Sequence, residues 1–414
     1  MNVGTERSIS RPASMEALRA NTIDRTMLRT LARALGDAPI RLELWDGSRA
    51  LAAGAAATYR VLIRTRAALA GLLTDPQLQF GEHYTAGDIE VEGGSLADAM
   101  TAVYAGVGEP RGLRVLLDSV CSRLSRISPV RARGNVHHHY DIGNDFYRLW
   151  LDERMVYTCA YFPTPDATLE QAQLAKLDHV CRKLRLRPGE EVIEAGCGWG
   201  ALALHMAQKY GVRVRAFNVS RTQIAYAREQ AHRFGLSGRV QFIEDDYRSA
   251  TGTCDAFVSV GMLEHVGLRQ YRELGSVIRR LLSANGRGFI HSIGRYRPMP
   301  TNAWIRRRIF PDGYTPAPSE MSAIFEPNGL AILDMENLRR HYALTLEHWT
   351  ARYEQAVPVV RRMFDEKFVR TWRLYLAGST AAFRTGSMHL YQILFDRSGS
   401  DSTPWTRDDI YAPG

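Results

Sequence analysis

The chain has 414 residues, 45% of them hydrophobic and 23% charged, and carries a net charge of +9. That length exceeds one ordinary domain and supplies enough apolar material for a sizeable core. No run of about 18 or more uncharged apolar residues occurs, which excludes a bilayer-spanning helix. The opening residues have no apolar stretch of the secretory kind, and the five cysteines are scattered without zinc-ligand or CxxC spacing. The expectation is therefore a protein of the reducing cytoplasm with no disulfide framework. A basic balance suits nucleic acid, an anionic membrane surface or acidic small molecules. No nucleic-acid-binding signature appears along the chain, which argues against the first.

Residues 1–38 are polar and then become helical by period, with apolar positions recurring over Thr26–Leu35. From residue 39 to 121 the texture is that of a small α+β module. Ile40–Trp45 alternates like a strand before the turn signal Asp46-Gly47, Thr58–Ile63 reads as a second strand, and Arg66–Leu73 reads as a helix. Residues 122–135 (SRLSRISPVRARGN) form an arginine-rich linker. It is either a solvated connector or a strip that touches lipid headgroups. The catalytic region is then expected over 136–414. Strand-like runs at Glu191–Ala195, Val212–Phe217, Val240–Ile243, Ala256–Val260 and Gly288–Ser292 alternate with helical stretches. Such alternation predicts an α/β fold of the Rossmann-like class, a parallel sheet covered on both faces. After Trp304 the chain is rich in aromatic residues and arginine and reads as largely helical.

The most telling local pattern is Glu191-Val-Ile-Glu-Ala-Gly-Cys-Gly-Trp-Gly-Ala201, where a buried strand enters a glycine turn and then a helix. Gly196, Gly198 and Gly200 let the backbone turn tightly and approach a ligand at the carboxyl end of the first strand. The spacing is GxGxG, not the GxGxxG of dinucleotide sites. It fits S-adenosylmethionine, with Glu194 placed to take the ammonium. Asn218 ends the second strand, where an amide can hydrogen-bond a ribose diol. Asp245-Asp246-Tyr247 follows the third strand, where an adenine would meet an acid and an aromatic face.

Four further segments stand out: His139–Tyr147 (HYDIGNDFY), Tyr157–Phe162 (YTCAYF), Ser259–Gly267 (SVGMLEHVG) and His291–Gly294 (HSIG). Together with the glycine turn, with Ile309–Gly313 and with Tyr375–Phe383, they resemble the cyclopropane-fatty-acyl-phospholipid synthase family, which includes the mycolic acid cyclopropane synthases. The resemblance covers roughly 135–397, and the module before it resembles the N-terminal extension of full-length bacterial synthases. It implies a methyltransferase that adds a one-carbon unit to the double bond of an unsaturated phospholipid acyl chain. The alkene attacks the sulfonium methyl, and a bound bicarbonate ion takes a proton from the resulting cation as the ring closes. By motif position the ion cradle would be Cys159, Glu264, His291, Ile293 and Tyr342. The cofactor site would include Tyr157, Thr158, Gly196, Asn218, Gln223, Asp246 and Tyr247. The resemblance also implies a homodimer associated peripherally with the inner face of the membrane.

Taken singly, these residues have blander readings. Cys159 could be a small buried hydrophobe, Glu264 a helix cap and His291 a core histidine. The same cation could also lose its proton elsewhere, giving a methyl-branched or methylene chain. The triple histidine 137–139 lacks acidic or thiol partners at ligand spacing, so no metal site is read there. Ala303–Pro311, with three arginines among Trp304, Ile305, Ile309 and Phe310, is either an exposed helix end or an interfacial membrane contact.

Overall fold

The computed structural model describes residues 19–52, 57–106, 142–311, 313–400 and 404–411, and the chain divides into two compact units, 1–95 and 96–414. The expected linker at 122–135 and the histidines at 137–139 lie outside the described residues.

In the first unit, helix α1 (Thr22–Ala34) starts at a capping box in which Asn21 and Asp24 satisfy each other's backbone N–H groups. The sheet of this unit has the order β2 (Arg49–Leu51), β1 (Ile40–Leu44), β3 (Tyr59–Ile63), β4 (Ile89–Glu92). The pair β1/β3 is parallel and the other two are antiparallel. Helices α2 (Arg66–Thr74) and α3 (Pro76–Ala86) connect β3 to its antiparallel neighbour β4, while the chain returns from β1 to the parallel β3 through β2. Asp24, 1% exposed, is gripped by both Arg66 nitrogens at 2.7 and 2.8 Å, tying α1 to α2. β2 and β4 are absent from the sequence reading because each is short, β2 is largely exposed, and β4 alternates over only Ile89–Glu92.

The second unit begins with helix α4 (Leu96–Gly106), earlier than the boundary at 121 read from the sequence. The helix belongs here because Asp98 pairs with Arg384 at 2.7 Å and Met100 lies over Gly378. Next come α5 (Asn144–Arg148) and α6 (Leu169–Lys183), the latter opened by a capping box at Thr168 and Gln171. The Rossmann-like alternation follows: β5 (Glu191–Ala195), α7 (Ala201–Tyr210), β6 (Arg213–Asn218), α8 (Arg221–Arg233), β7 (Val240–Glu244), β8 (Cys254–Val260), α9 (Tyr271–Leu281) and β9 (Leu282–Gly294). The chain closes with α10 (Ala303–Arg308), α11 (Pro318–Phe325), β10 (Leu330–Asn337), α12 (Arg339–Met363), α13 (Glu366–Thr385), β11 (His389–Arg397) and α14 (Asp408–Tyr411).

The seven strands are ordered β10-β11-β9-β8-β5-β6-β7, and β11 runs antiparallel to both its neighbours. Successive side chains of each strand point to opposite faces, and the two cores follow that period. Val192, Val214, Ala256, Val258 and Phe289 pack with α6, α7 and α8. Ile193, Phe257, Ile290 and Ile393 pack with α9 and α11. The order reverses at β5/β8, so the carboxyl ends of these strands open a crevice. The region after Trp304 is not simply helical, as its sequence suggests. β10 has a half-exposed edge-strand pattern, and β11 is buried at seven consecutive positions, so its apolar run carries no period of its own.

Candidate active site

The glycine turn sits at the mouth of this crevice. Gly196 (φ 82°) is pressed so closely on Met262 that a Cβ would lie 2.8 Å from that side chain's own Cβ. Gly198 faces open space. Gly200 behaves differently from the ligand-facing role assigned to all three glycines. Its missing Cβ would strike the Phe242 ring at 2.6 Å and Ala227 at 2.9 Å, so it seats α7 on the sheet and does not line the crevice.

The cleft is lined by Tyr157, Thr158, Glu194, Gly196, Gly198, Asn218, Gln223, Asp246 and Tyr247, all named from the sequence. Glu194 is 2% exposed, and its Oε2 has no hydrogen-bond partner. Burial lifts its carboxyl to about 8, against the pull of the Lys176 charge and the Ala203 N–H. Asn218 Nδ2 donates to Gln223 Oε1 at 2.7 Å and to the Gly198 carbonyl at 3.2 Å, which fixes the end of β6 against the turn. Both Asp246 oxygens accept from Arg248, at 2.7 and 2.8 Å. Tyr157 donates to or accepts from Tyr375 at 2.8 Å. It also leans on Trp150 and Trp349, within an aromatic wall built by α5, α12 and α13. Tyr147, which ends the HYDIGNDFY segment, is fully buried between Trp150, Tyr157 and Trp199.

Sequence reasoning missed Lys176, Trp199, Met262 and His265, all of which line the cleft. Lys176 had a legible signal. It stands in the Leu169, Ala172, Gln173, Leu177, Val180 series of buried positions on α6, where helical period calls for an apolar residue. His265 is half-buried, and burial lowers its imidazole to about 4.

The five residues assigned to an ion cradle gather in two places. Glu264 follows β8, and its Oε1 accepts the Ile293 N–H at 2.6 Å, while its Oε2 is buried without a partner. Burial raises this carboxyl to about 7. His291, 1% exposed, receives the Gln392 amide at Nδ1 (3.2 Å), and its Nε2 is also buried without a partner. The Gly261 N–H to His291 carbonyl bond (2.8 Å) locks the two strand ends together. On the other side, Cys159 is fully buried, and burial pushes its thiol well up. The next amide, Ala160 N–H, donates at 3.0 Å to Thr345, which stands one turn on from Tyr342 along α12. Tyr342 is 6% exposed and packs on Phe383 and Trp349. Of the apolar residues in Ala303–Pro311, Trp304 and Ile309 are 3% and 1% exposed and turned into the core, whereas Ile305 and Phe310 are half-buried.

With this geometry established, comparison with known proteins is informative. The model of the mycolic acid cyclopropane synthetase family matches residues 128–393, and that of a domain of unknown function matches 27–108. A probable fatty acid methyltransferase of Pseudomonas putida is 37% identical over 400 residues, covering 90% of this chain and 96% of the relative. The cyclopropane-fatty-acyl-phospholipid synthase of Escherichia coli K12 is 38% identical over 260 residues, 63% of this chain and 66% of that protein. The crystal structure of mycolic acid cyclopropane synthase CmaA1 complexed with SAH and CTAB superposes with a TM-score of 0.61 at 30% identity, covering 64% of this chain and 97% of that one. The chain belongs to the mycolic acid cyclopropane synthetase family and is an enzyme of its methyltransferase class.

Proposed function

We propose that the protein transfers a one-carbon unit from S-adenosylmethionine to the cis double bond of unsaturated phospholipid acyl chains and closes a cyclopropane ring. The observation that carries this reading is a pair of buried, unpartnered polar atoms, Glu264 Oε2 and His291 Nε2, beside the glycine-turn cleft. Buried polar atoms without partners are costly, so such a pair calls for a small polar occupant. Bicarbonate fits the donor set. Gln392 donates to His291 Nδ1, which leaves Nε2 to carry the proton and donate outward. A carboxyl lifted to about 7 retains a proton near neutrality and can donate as well.

When bound, the sulfonium cofactor supplies the electrophilic methyl carbon, and a bicarbonate ion supplies the base. Glu194 offers its free oxygen to the cofactor's ammonium, and the Asn218–Gln223 pair offers amides to the ribose. Tyr157, Trp199 and Tyr375 present aromatic faces that stabilise positive charge on the acyl chain. The enclosing aromatic wall keeps water away from that charge. Glu264, oriented by Ile293 N–H, holds the base where it can take the proton.

Similarity to a probable fatty acid methyltransferase supports a second reading, methyl-branched or methylene acyl products on the same site. Expression in a host without the activity, followed by gas chromatography and mass spectrometry of fatty acid methyl esters, separates the ring from a saturated branch by mass and from a methylene chain, its isomer, by retention time. Ring closure and a saturated methyl branch differ by two mass units. A host lipid profile unchanged by expression of the active protein would sink both. Membrane association and a homodimer complete the proposal. The exposed Arg307 beside the half-buried Arg306 and Arg308 supports attraction to an anionic surface, which vesicle sedimentation tests. Light scattering of the purified protein tests the dimer.

A further inference from the structure

Lys176 is the one lysine lining the cleft among the described residues, and it is 1% exposed. Its Nζ donates to Thr158 Oγ1 at 3.1 Å, and one turn earlier Gln173 holds the Thr158 carbonyl at 2.9 Å. α6 thus grips the segment 156–158 by two side chains while carrying an ammonium into the floor of the cleft. The charged and titratable groups facing that ammonium are Asp152 from the loop after α5, Cys159 from the catalytic segment, Glu194 from β5, Cys181 from α6 itself and His291 from β9. It therefore stands between the cleft that contains Glu194 and the cradle that contains Cys159 and His291. A buried ammonium is expensive unless it is matched by nearby negative charge.

We propose that Lys176 is a positioning residue whose positive charge draws Glu194 toward its ionised form beneath the cofactor's ammonium. The proposal rests on the reading of this cleft as an S-adenosylmethionine site. Burial favours the neutral form of both partners, and each draws the other back toward its charged form. With Lys176 neutralised, the Glu194 carboxyl climbs further and its ionised fraction at neutral pH falls. Only that fraction attracts an ammonium.

The test is calorimetric titration of the full chain with S-adenosylhomocysteine between pH 6 and 9, for wild type, Lys176→Met and Lys176→Gln. The glutamine variant keeps a hydrogen-bond donor toward Thr158 without the charge, and guards against a methionine variant that does not fold. In both variants, affinity at pH 7 should fall by about tenfold or more, and the pH at which affinity rises should move up by about one unit or more. In a Glu194→Gln background the same lysine changes should have little effect on affinity. Wild-type affinity that survives in Lys176→Gln with an unmoved pH profile overturns the role of the charge and leaves the cleft assignment intact. Wild type that binds no S-adenosylhomocysteine at any pH overturns the cleft assignment itself.

Discussion

Glu264 joins two properties that rarely coincide, a backbone N–H that fixes one carboxyl oxygen and a second oxygen buried without a partner. Replacing it by glutamine keeps shape and burial while removing its capacity to hold and exchange a proton with a base. Glu264→Gln should lower turnover about 100-fold or more, with cofactor affinity changed less than about threefold. Equal turnover in the variant counts heavily against the cradle. The same residue predicts a pH effect on the ligand-free protein. Its carboxyl stands near 4.5 when unfolded and is raised to about 7 when folded. Its contribution to stability is therefore fully present below pH 4.5 and is lost as pH rises through 7. Wild type and Glu264→Gln should have similar melting temperatures near pH 4.5, and the variant should be the more stable of the two at pH 8. A variant less stable at pH 8 would contradict a buried, unpartnered carboxylate. Motif resemblance singled out Glu264, in the turn past β8, and His291, within β9. It could not show that each keeps one polar atom unsatisfied, because that depends on what Gln392 and Ile293, distant in the chain, already occupy.

At the scale of elements, the glycine turn serves two purposes that the motif alone does not separate. Gly196 and Gly198 shape the cleft, whereas Gly200 lets α7 descend onto Phe242 of β7 and Ala227 of α8. Gly200→Ala combines a left-handed backbone (φ 87°) with a clash against ring and backbone-borne carbon, so it should cost about 2–4 kcal/mol in denaturant unfolding. Gly198→Ala meets no neighbour and should cost about 1 kcal/mol, while weakening cofactor binding more than Gly200→Ala does per unit of lost stability. Helix α6 precedes the strands and helices of the alternation read from the sequence, and its lysine was not read as part of the site. A polar residue at a buried helical position declares only that something must compensate it. Which strands and loops do so emerges once α6 lies across Thr158 and Glu194.

At the scale of the molecule, a net charge of +9 spread over an acyl-chain enzyme predicts salt-sensitive adsorption to lipid. Vesicles containing anionic phospholipid should retain the protein at low ionic strength and release most of it by a few hundred millimolar salt. Binding that ignores salt removes the electrostatic argument. The burial of Trp304 and Ile309 already moves that argument from an inserted aromatic strip to surface arginines. No described helix is long and apolar enough to cross a membrane. By itself the sequence determined the βαβ alternation, the glycine turn after β5 and part of the lining around it. Hydrophobic period and backbone permissiveness are local properties, written within a dozen residues. It did not determine that β11 inserts antiparallel between β9 and β10, that α4 joins the second unit, or that Lys176 lies between cleft and cradle. Those outcomes were decided by the tertiary structure, since they follow from burying one apolar face against another across a hundred or more residues, and from the cost of leaving any buried charge unmatched.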